Sequence, residues 1–210
     1  MGERDLGVHL DTALRGVIIG DRWPKSGAEI VVTVLEAEDD AWWADEMGVS
    51  KSKASAGAGA WGMLTVLAGC ITAASAALTE AGIDCVDLVS GGVAALVRSP
   101  SLPAAGLVGK DAQEKENRCE LVLDPSPSEH AEIVAACVVG YLGSRDEITE
   151  IWMKGDVGAA NDTLMDGAIE AALAARTVLM EAVAESLESA QLVSQGFKPE
   201  KPSMDIEMSG

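Results

Sequence analysis

Basic residues are scarce in this sequence. Its 210 residues include 15 Lys and Arg against 34 Asp and Glu, which gives a formal net charge of −19 at pH 7. A field of this sign repels polyphosphate on average, so we expect any contact with RNA or DNA to be local or to be made by a partner protein. The composition argues against a basic nucleic-acid-binding domain, and it says nothing about the fold.

Histidine and clustered cysteine are also scarce. His9 and His130 are the two imidazoles, and neither has a ligand-type neighbour in the sequence. No C-x-x-C pair occurs, and three of the four cysteines lie in apolar runs. These spacings argue against a metal site and predict buried, reduced thiols. The four cysteines are Cys70, Cys85, Cys119 and Cys137.

The sequence has no long hydrophobic run. The longest apolar stretch, residues 66–78, is too short to span a bilayer and is rich in small residues. The first ten residues begin with charge and lack the apolar core of a signal peptide. We therefore expect an intracellular, reducing compartment and no membrane partner.

Hydrophobic periodicity predicts an alternation of helices and strands. A double glycine at Gly91 and Gly92 suggests a bulge or a close backbone approach. A capping box of Thr163 and Asp166 is expected to open the last helix. The predicted elements are a helix over 3–19, a strand over 28–38 with both faces covered, a helix over 62–80, strands over 83–97, 118–125, 132–143 and 148–156, the last two joined as a hairpin, and a helix to about residue 194.

This order predicts a mixed α/β fold with two sheet-and-helix lobes. The first lobe, residues 1–84, includes a mobile surface insertion at 39–60; the second covers 85–195, and 196–210 form a disordered tail. One strand and two helices cannot close a core, so the first lobe is expected to need preceding strands.

The last helix carries a regular apolar pattern. Its Met and Leu stripe is interpreted as core, because apolar residues at helical spacing usually face the interior. The residues that trace this helix are Ile169, Leu173, Met180, Ala184 and Leu187.

Three glycines, Gly57, Gly59 and Gly62, have the spacing of a dinucleotide-binding loop. Such a loop needs a strand immediately before it, whereas these glycines follow the polar run "KSKASA". Asp84 and Asp87 lie near the distance expected of a ribose-binding acid, but they belong to the entrance of a strand. We interpret the glycines as linker and expect no cofactor, with a nucleotide-binding α/β domain kept as an alternative.

Two surface segments have alternative interpretations. The turn 22–25, with Arg22, Trp23, Pro24 and Lys25, could touch an RNA backbone, but a surface turn with its Trp anchored in the core is favoured. Trp42 and Trp43, in the acidic insertion, fit equally well a docking patch for a partner or a loop folded back on its own domain. His130 has no Ser or Cys arranged near it and is interpreted as a loop residue.

Three long phrases, in order, resemble the ribonuclease PH family. They are "ERDLGVHLDTALRGVIIGDRWPKSGAEIVVTVLEAEDD", "LAGCITAASAALTEAGIDCVDLVSGGVAALV" and "LVLDPSPSEHAEIVAACVVG". The resemblance covers residues 3 to about 195. Within the family it is to a ring subunit of the eukaryotic RNA exosome in its fungal form, which has an acidic, Trp-rich insertion before the helix. Relative to that family, the chain begins partway through and lacks the first strands.

The resemblance implies a missing phosphate site. Phosphorolytic members hold inorganic phosphate with a Gly-Ser-Arg or similar triplet that opens the second helix, and its place falls here on Leu64, Thr65 and Val66. A bidentate Arg on phosphate is hard to replace with hydrocarbon, and one preorganised donor to a reacting anion is typically worth about 10² to 10³ in rate.

The resemblance also implies a missing carboxylate pair. Active relatives carry two aspartates six residues apart at the entry to the second lobe. That window, 127–133, holds Glu129 and Glu132, three residues apart and in the wrong frame, while Asp124 belongs to the turn before it. We therefore expect no catalytic, cofactor-binding or metal-binding residue.

The same resemblance implies an architectural role. The expected assembly is a six-membered ring of ribonuclease PH-like subunits with RNA-binding cap subunits, in which RNA runs through the channel and meets this chain only indirectly. The implied process is 3′-end processing and decay of RNA, including rRNA, in nucleus, nucleolus and cytoplasm. The alternative is an active phosphate-dependent exoribonuclease.

Overall fold

The computed structural model describes residues 3–22, 24–35, 61–98, 119–126 and 133–196. The described helices and strands form three layers, with two helices on one face of a sheet and one long helix on the other. The predicted mixed α/β class is confirmed. In chain order the elements are α1 (Glu3–Arg15), a 3₁₀ turn (Gly20–Arg22), α2 (Gly62–Glu80), β1 (Val89–Arg98), β2 (Cys119–Leu123), β3 (Ile133–Leu142), β4 (Glu147–Gly155), a second 3₁₀ turn (Gly158–Ala160) and α3 (Asn161–Gly196).

The sheet is antiparallel, with strand order β2-β1-β3-β4. β1 and β3 lie at its centre, where Val93 pairs with Val138. Both central strands are buried over nearly their whole length. β3 and β4 form the predicted hairpin through a short turn at 143–146. Because helices cover both faces, the central strands are apolar at almost every position rather than at alternate ones.

The first face of the sheet packs against α1 and α2. The buried positions of α2 recur at helical spacing, and they meet Val93 and Val138 at the sheet centre. The predicted bounds of α2 are confirmed, and Gly82, with φ +69°, ends the helix through an N–H that donates to the Thr79 carbonyl. The buried α2 side chains of this cluster are Leu64, Leu67, Ala68, Ile71, Ala74 and Leu78.

The second face packs against α3 through small residues. Ala168 and Ala172 are fully buried and let the helix axis come close to the strands. A Cβ built on Gly91 would lie 2.2 Å from the Ala68 carbonyl oxygen of α2, and one on Gly92 would lie 2.2 Å from the Ala172 nitrogen of α3. The predicted close backbone approach is therefore confirmed, whereas the register shift of β1 lies further on, between Leu96 and Val97.

The predicted strand over 28–38 is wrong in its described part. Residues 26–35 pair with no described strand; Val31 and Leu35 are 80% and 93% exposed, whereas Ile30 and Val32 are partly buried against the core. A β-branched run becomes a strand only when a neighbour accepts and donates its backbone hydrogen bonds, and no described segment does so here. Residues 36–60, which include the insertion, Gly57 and Gly59, lie outside the described residues.

Three boundaries also differ from the prediction. α1 ends at Arg15 rather than near residue 19. The strand predicted from 83 begins at Val89, because residues 84–86 instead pair antiparallel with residues 17–19, which follow α1; the Val86 N–H donates to the Val17 carbonyl. The capping box is wrong, since α3 begins at Asn161 directly after a 3₁₀ turn and Thr163 lies inside its first turn.

α2 is long and apolar enough to cross a membrane by length and composition alone, with 19 residues and a hydropathy of 1.7. Half of it is buried inside the protein, which is the property of a core helix. The division of the chain at residue 84 stays a prediction. Of the predicted tail, 196–210, Gly196 is the last residue of α3, and 197–210 lie outside the described residues.

Candidate functional site

The N-terminal end of α2 is the position of the phosphate-binding triplet in the family that the sequence resembles. Trp61, Met63 and Leu64 are buried there. The Thr65 hydroxyl oxygen is buried and has no hydrogen-bond partner among the described residues. Of the three triplet positions, Leu64 therefore lies in the core, whereas Thr65 and Val66 are half-buried.

One cation does lie near this helix end, and sequence reasoning missed it. Lys154 Nζ is 5.4 Å from the centre of the Trp61 ring, a cation–π contact between the end of β4 and the start of α2. Gly155, with φ +95°, makes room for this packing, because a Cβ there would lie 2.2 Å from the Val134 carbonyl and 3.0 Å from the Trp61 ring. An ammonium cannot bind phosphate through two parallel hydrogen bonds as a guanidinium can. The Lys154–Trp61 contact therefore stabilises the start of α2 but is not equivalent to the Arg of the family's phosphate-binding triplet.

The expected carboxylate window is only partly described. Asp124 follows β2 as a bend with φ +48°, and its N–H donates to the Val93 carbonyl over 2.9 Å, directly beyond the last β1–β2 residue pair. Glu129 and Glu132 lie outside the described residues. Within the ranges that the structure does describe, no group of three or more His, Cys, Asp or Glu side chains could hold a metal ion.

His9 has a partner that its sequence neighbours did not reveal. Its Nδ1 lies 2.8 Å from Glu150 Oε1, and its ring stacks on Trp152 with 5.0 Å between centroids and 7° between planes. The Glu150 side chain is largely buried. The fold thus gives His9 a carboxylate neighbour that lies 141 positions away in the sequence, since β4 packs against α1. This hydrogen bond and the ring stacking join α1 to edge strand β4.

Asp87 makes a second polar junction. It accepts hydrogen bonds from Arg176 Nη2 at 3.1 and 3.0 Å and from the Ser144 N–H at 3.0 Å. Burial favours the neutral carboxyl, but the N–H of Leu88, the bonds from Ser144 and the Arg176 guanidinium outweigh it and lower the Asp87 pKa. Asp87, which the sequence offered as a possible ribose-binding acid, therefore links three parts of the fold: the segment before β1, the β3–β4 turn and α3.

The cysteines are all free, but they are not all buried. Cys137 lies in the core, and burial raises its pKa to about 11. Cys70 and Cys85 are partly buried; burial raises the pKa of both thiols, and the Asp84 charge adds to the rise at Cys85. Cys119 is exposed on edge strand β2, which corrects the prediction of four buried thiols.

A cleft of about 660 Å³ lies between α1 and residues 20–30. Its walls include Leu10, Leu14 and Ile18, and the one cation among its described lining residues, Arg15, is paired with Asp11 on the same helix. Most of the remaining lining is glycine, serine and alanine. The described walls are therefore of mixed polarity, and the charged groups among them, Asp11 and Arg15, are paired with each other.

The other predicted surface candidates are only partly described. Pro24 and Lys25 are exposed, as a surface turn requires, and Lys25 has φ +69°. Trp23, which was expected to anchor that turn, lies outside the described residues, as do Trp42, Trp43 and His130. Gly62 is the buried first residue of α2 and not part of an open loop.

No protein-family model matches the chain. A protein of Chaetomium thermophilum named Exosome complex component MTR3 is 43% identical over 189 residues, which are 88% of this chain and 58% of that protein. A protein of Schizosaccharomyces pombe named Exosome complex component mtr3 is 25% identical over 155 residues, which are 73% of this chain and 44% of that protein. The chain thus spans about half the length of the curated relatives it matches. Both names agree with the predicted likeness to the fungal ring subunit called mRNA transport regulator three, and the chain is a homologue of these fungal exosome components.

Proposed function

We propose that this chain is a non-catalytic structural subunit of the core ring of the RNA exosome. It holds neighbouring ring subunits and RNA-binding cap subunits in place and so supports 3′-to-5′ processing and decay of RNA. The observation that carries this proposal is the 43% identity, over 88% of the chain, to a protein named as an exosome complex component. The proposed sites of action are the nucleus, the nucleolus and the cytoplasm.

The start of α2 supports the non-catalytic part of the proposal. The place where phosphorolytic relatives grip phosphate holds a buried Leu64 and a half-buried Thr65 and Val66, none of them cationic, and Lys154, the cation described nearby, lies over the Trp61 ring. The net charge of −19 suits a subunit most of whose surface does not meet RNA. The chemistry of RNA cleavage then belongs to another subunit of the assembly.

Affinity purification tests membership of the ring. The full 210-residue chain is tagged, expressed in a filamentous fungus and purified, and co-purifying proteins are quantified by mass spectrometry. We expect ribonuclease PH-like and cap subunits at near-equal amounts. A Gly92→Val chain, which cannot close the helix–sheet contact, is the matched control and should lose them. Recovery of no exosome subunit with the unchanged chain contradicts the proposal.

A phosphorolysis assay separates the scaffold from the active-enzyme alternative. The purified chain, alone and in its assembly, is incubated with single-stranded RNA and millimolar phosphate, and nucleoside diphosphates are measured. We expect no release that depends on this chain. Phosphate-dependent release that disappears in an Asp124→Asn or Glu129→Gln chain would establish the enzyme, while leaving ring membership intact.

A further inference from the structure

The two halves of α3 lie in different environments. Leu164, Ala168 and Ala172 are fully buried against the sheet, and Leu179 is 6% exposed. From 180 to 191, the last position whose side chain is described, no residue is buried. A helix of 36 residues is about 54 Å long, whereas a ten-residue strand is about 33 Å long, so the helix outruns the sheet that supports it.

The projecting half still carries an apolar stripe. Leu173, Met180 and Leu187 recur every seven residues and are 43%, 46% and 52% exposed. Thr177 and Ala184 lie between them, four residues on from one stripe residue and three before the next, which completes a heptad pattern. We call the set 173, 177, 180, 184, 187 and 191 the α3 seam.

The α3 seam is distinct from the buried face of the helix. At about 100° per residue, Met180 points about 100° away from Leu179, which packs on the sheet. The interpretation of this Met and Leu stripe as core is therefore wrong for all but its first member, Ile169, which packs against the buried cluster. The core-facing residues Ala172 and Leu179 each precede a seam residue by one position. The sequence pattern alone does not show which of the two apolar faces of the helix the sheet covers.

Charge beside the α3 seam is mainly negative. Glu170, Glu181 and Glu188 line one flank, and 177–196 contain no Lys or Arg. Arg176 lies beside the opposite flank, where its guanidinium is already paired with Asp87. Glu181 and Glu185 are four residues apart on this helix, and like charges at that spacing repel each other unless cations lie nearby. A hydrogen bond between this half and the rest of the fold joins Ser186 Oγ to Glu80 Oε1 over 2.7 Å, and it brings another carboxylate.

This charge selects the occupant. A second copy of the chain would place the same carboxylates against one another, and RNA or an anionic membrane would be repelled. A helix with an apolar seam and flanking Lys or Arg would bury the exposed side chains and pair the carboxylates at once. We propose that the α3 seam binds such a basic-flanked amphipathic helix from another protein. This inference goes beyond the proposed function and holds whether or not the partner is an exosome subunit.

A designed peptide tests this partner chemistry. The probe is a helix of about four heptads with Leu at its a and d positions and Lys at e and g, and the comparison peptide has Glu at e and g. Binding to the full chain is measured by fluorescence anisotropy at low and at high salt. We expect the Lys peptide to bind at least about tenfold more tightly than the Glu peptide, with a difference that shrinks as salt rises.

Variants of α3 locate the binding surface. A Met180→Glu, Leu187→Glu chain should bind the Lys peptide at least about tenfold more weakly, because charge then interrupts the apolar seam. Val178→Glu is the matched control, since Val178 is 66% exposed and lies about 160° from Met180 on the same helix. Equal circular dichroism and equal melting temperatures identify both variants as folded.

Three outcomes overturn the proposal. The first is equal binding of both peptides, or no binding of either. The second is equal weakening by Val178→Glu and by the seam variant. The third is self-association of the unchanged chain in sedimentation velocity that the seam variant abolishes, which assigns the seam to a second copy.

Discussion

Two apolar segments of this chain differ in strand pairing and in burial, although Ile30 and Val32 of the first pack, partly buried, against the core. Residues 30–35, "IVVTVL", and β3, which begins "IVAACVV", are both rich in β-branched side chains. Val138 of β3 is fully buried between two paired strands and two helix layers, whereas Val31 is 80% exposed and its backbone pairs with no described strand. The difference shows that β-branched residues form a buried strand only where a neighbouring strand pairs with them.

The largest expected loss of stability comes from disrupting the contact between the buried sheet and α3. Gly92→Val places a side chain where a Cβ already meets the Ala172 nitrogen at 2.2 Å and the Ala168 carbonyl at 2.3 Å. We expect a loss of about 4 kcal/mol or more, or failure to fold, because neither backbone can yield. Urea denaturation measures it. Gly27→Ala, in the unpaired segment, is the control, since nothing lies within 4 Å of a Cβ there, and it should change stability by less than about 0.5 kcal/mol.

The second-largest expected effect is a loss of folding stability at acid pH. The pKa of Asp87 is lowered in the folded protein, so its contribution is fully present above the unfolded value of about 3.9 and is lost as pH falls through the folded value. Asp87→Asn should cost about 2 kcal/mol at neutral pH, as for a hydrogen bond to a charged group, and should flatten the acid limb of stability against pH. Denaturation at a series of pH values checks it. An unchanged acid limb in the variant would show that Asp87 does not carry it.

The smallest expected effects come from the same substitution, Val to Thr, made at a buried position and at an exposed one. Val138→Thr keeps the shape of the side chain but buries a hydroxyl, and we expect a loss of about 1.5 kcal/mol. Val31→Thr makes the same change in the exposed segment, where about 0.5 kcal/mol or less is expected. Chemical denaturation of both chains measures the two values. Equal losses would mean that residues 30–35 are buried in solution.

Local pattern predicted much of this fold. Apolar spacing gave α2 its bounds, and the four-residue turn after the apolar run of β3 gave the hairpin. The double glycine indicated a close approach, although not which backbones approach. These features are encoded within about twenty residues of chain, which is the range that periodicity reports.

The features that the sequence did not predict depend on contacts between distant segments. His9 and Glu150 are 141 positions apart, and Lys154 reaches Trp61 from another layer, so neither pair has a local signal. The apolar stripe of α3 was assigned to the core because two faces of that helix are apolar and periodicity does not say which one the sheet covers. Likewise, residues 28–35 have the composition of a strand, but they form none in the structure because no described strand pairs with them.

The adjacent glycines of β1 have a mechanical consequence. At Gly91 and Gly92 the sheet is one polypeptide backbone thick, with Ala68 of α2 directly on one side and Ala172 of α3 on the other. Rotamer changes absorb small displacements elsewhere in a protein, but there is no side chain at this place to change. Both helices therefore rest directly on the same two residues of β1, and neither can shift toward the sheet without displacing that backbone.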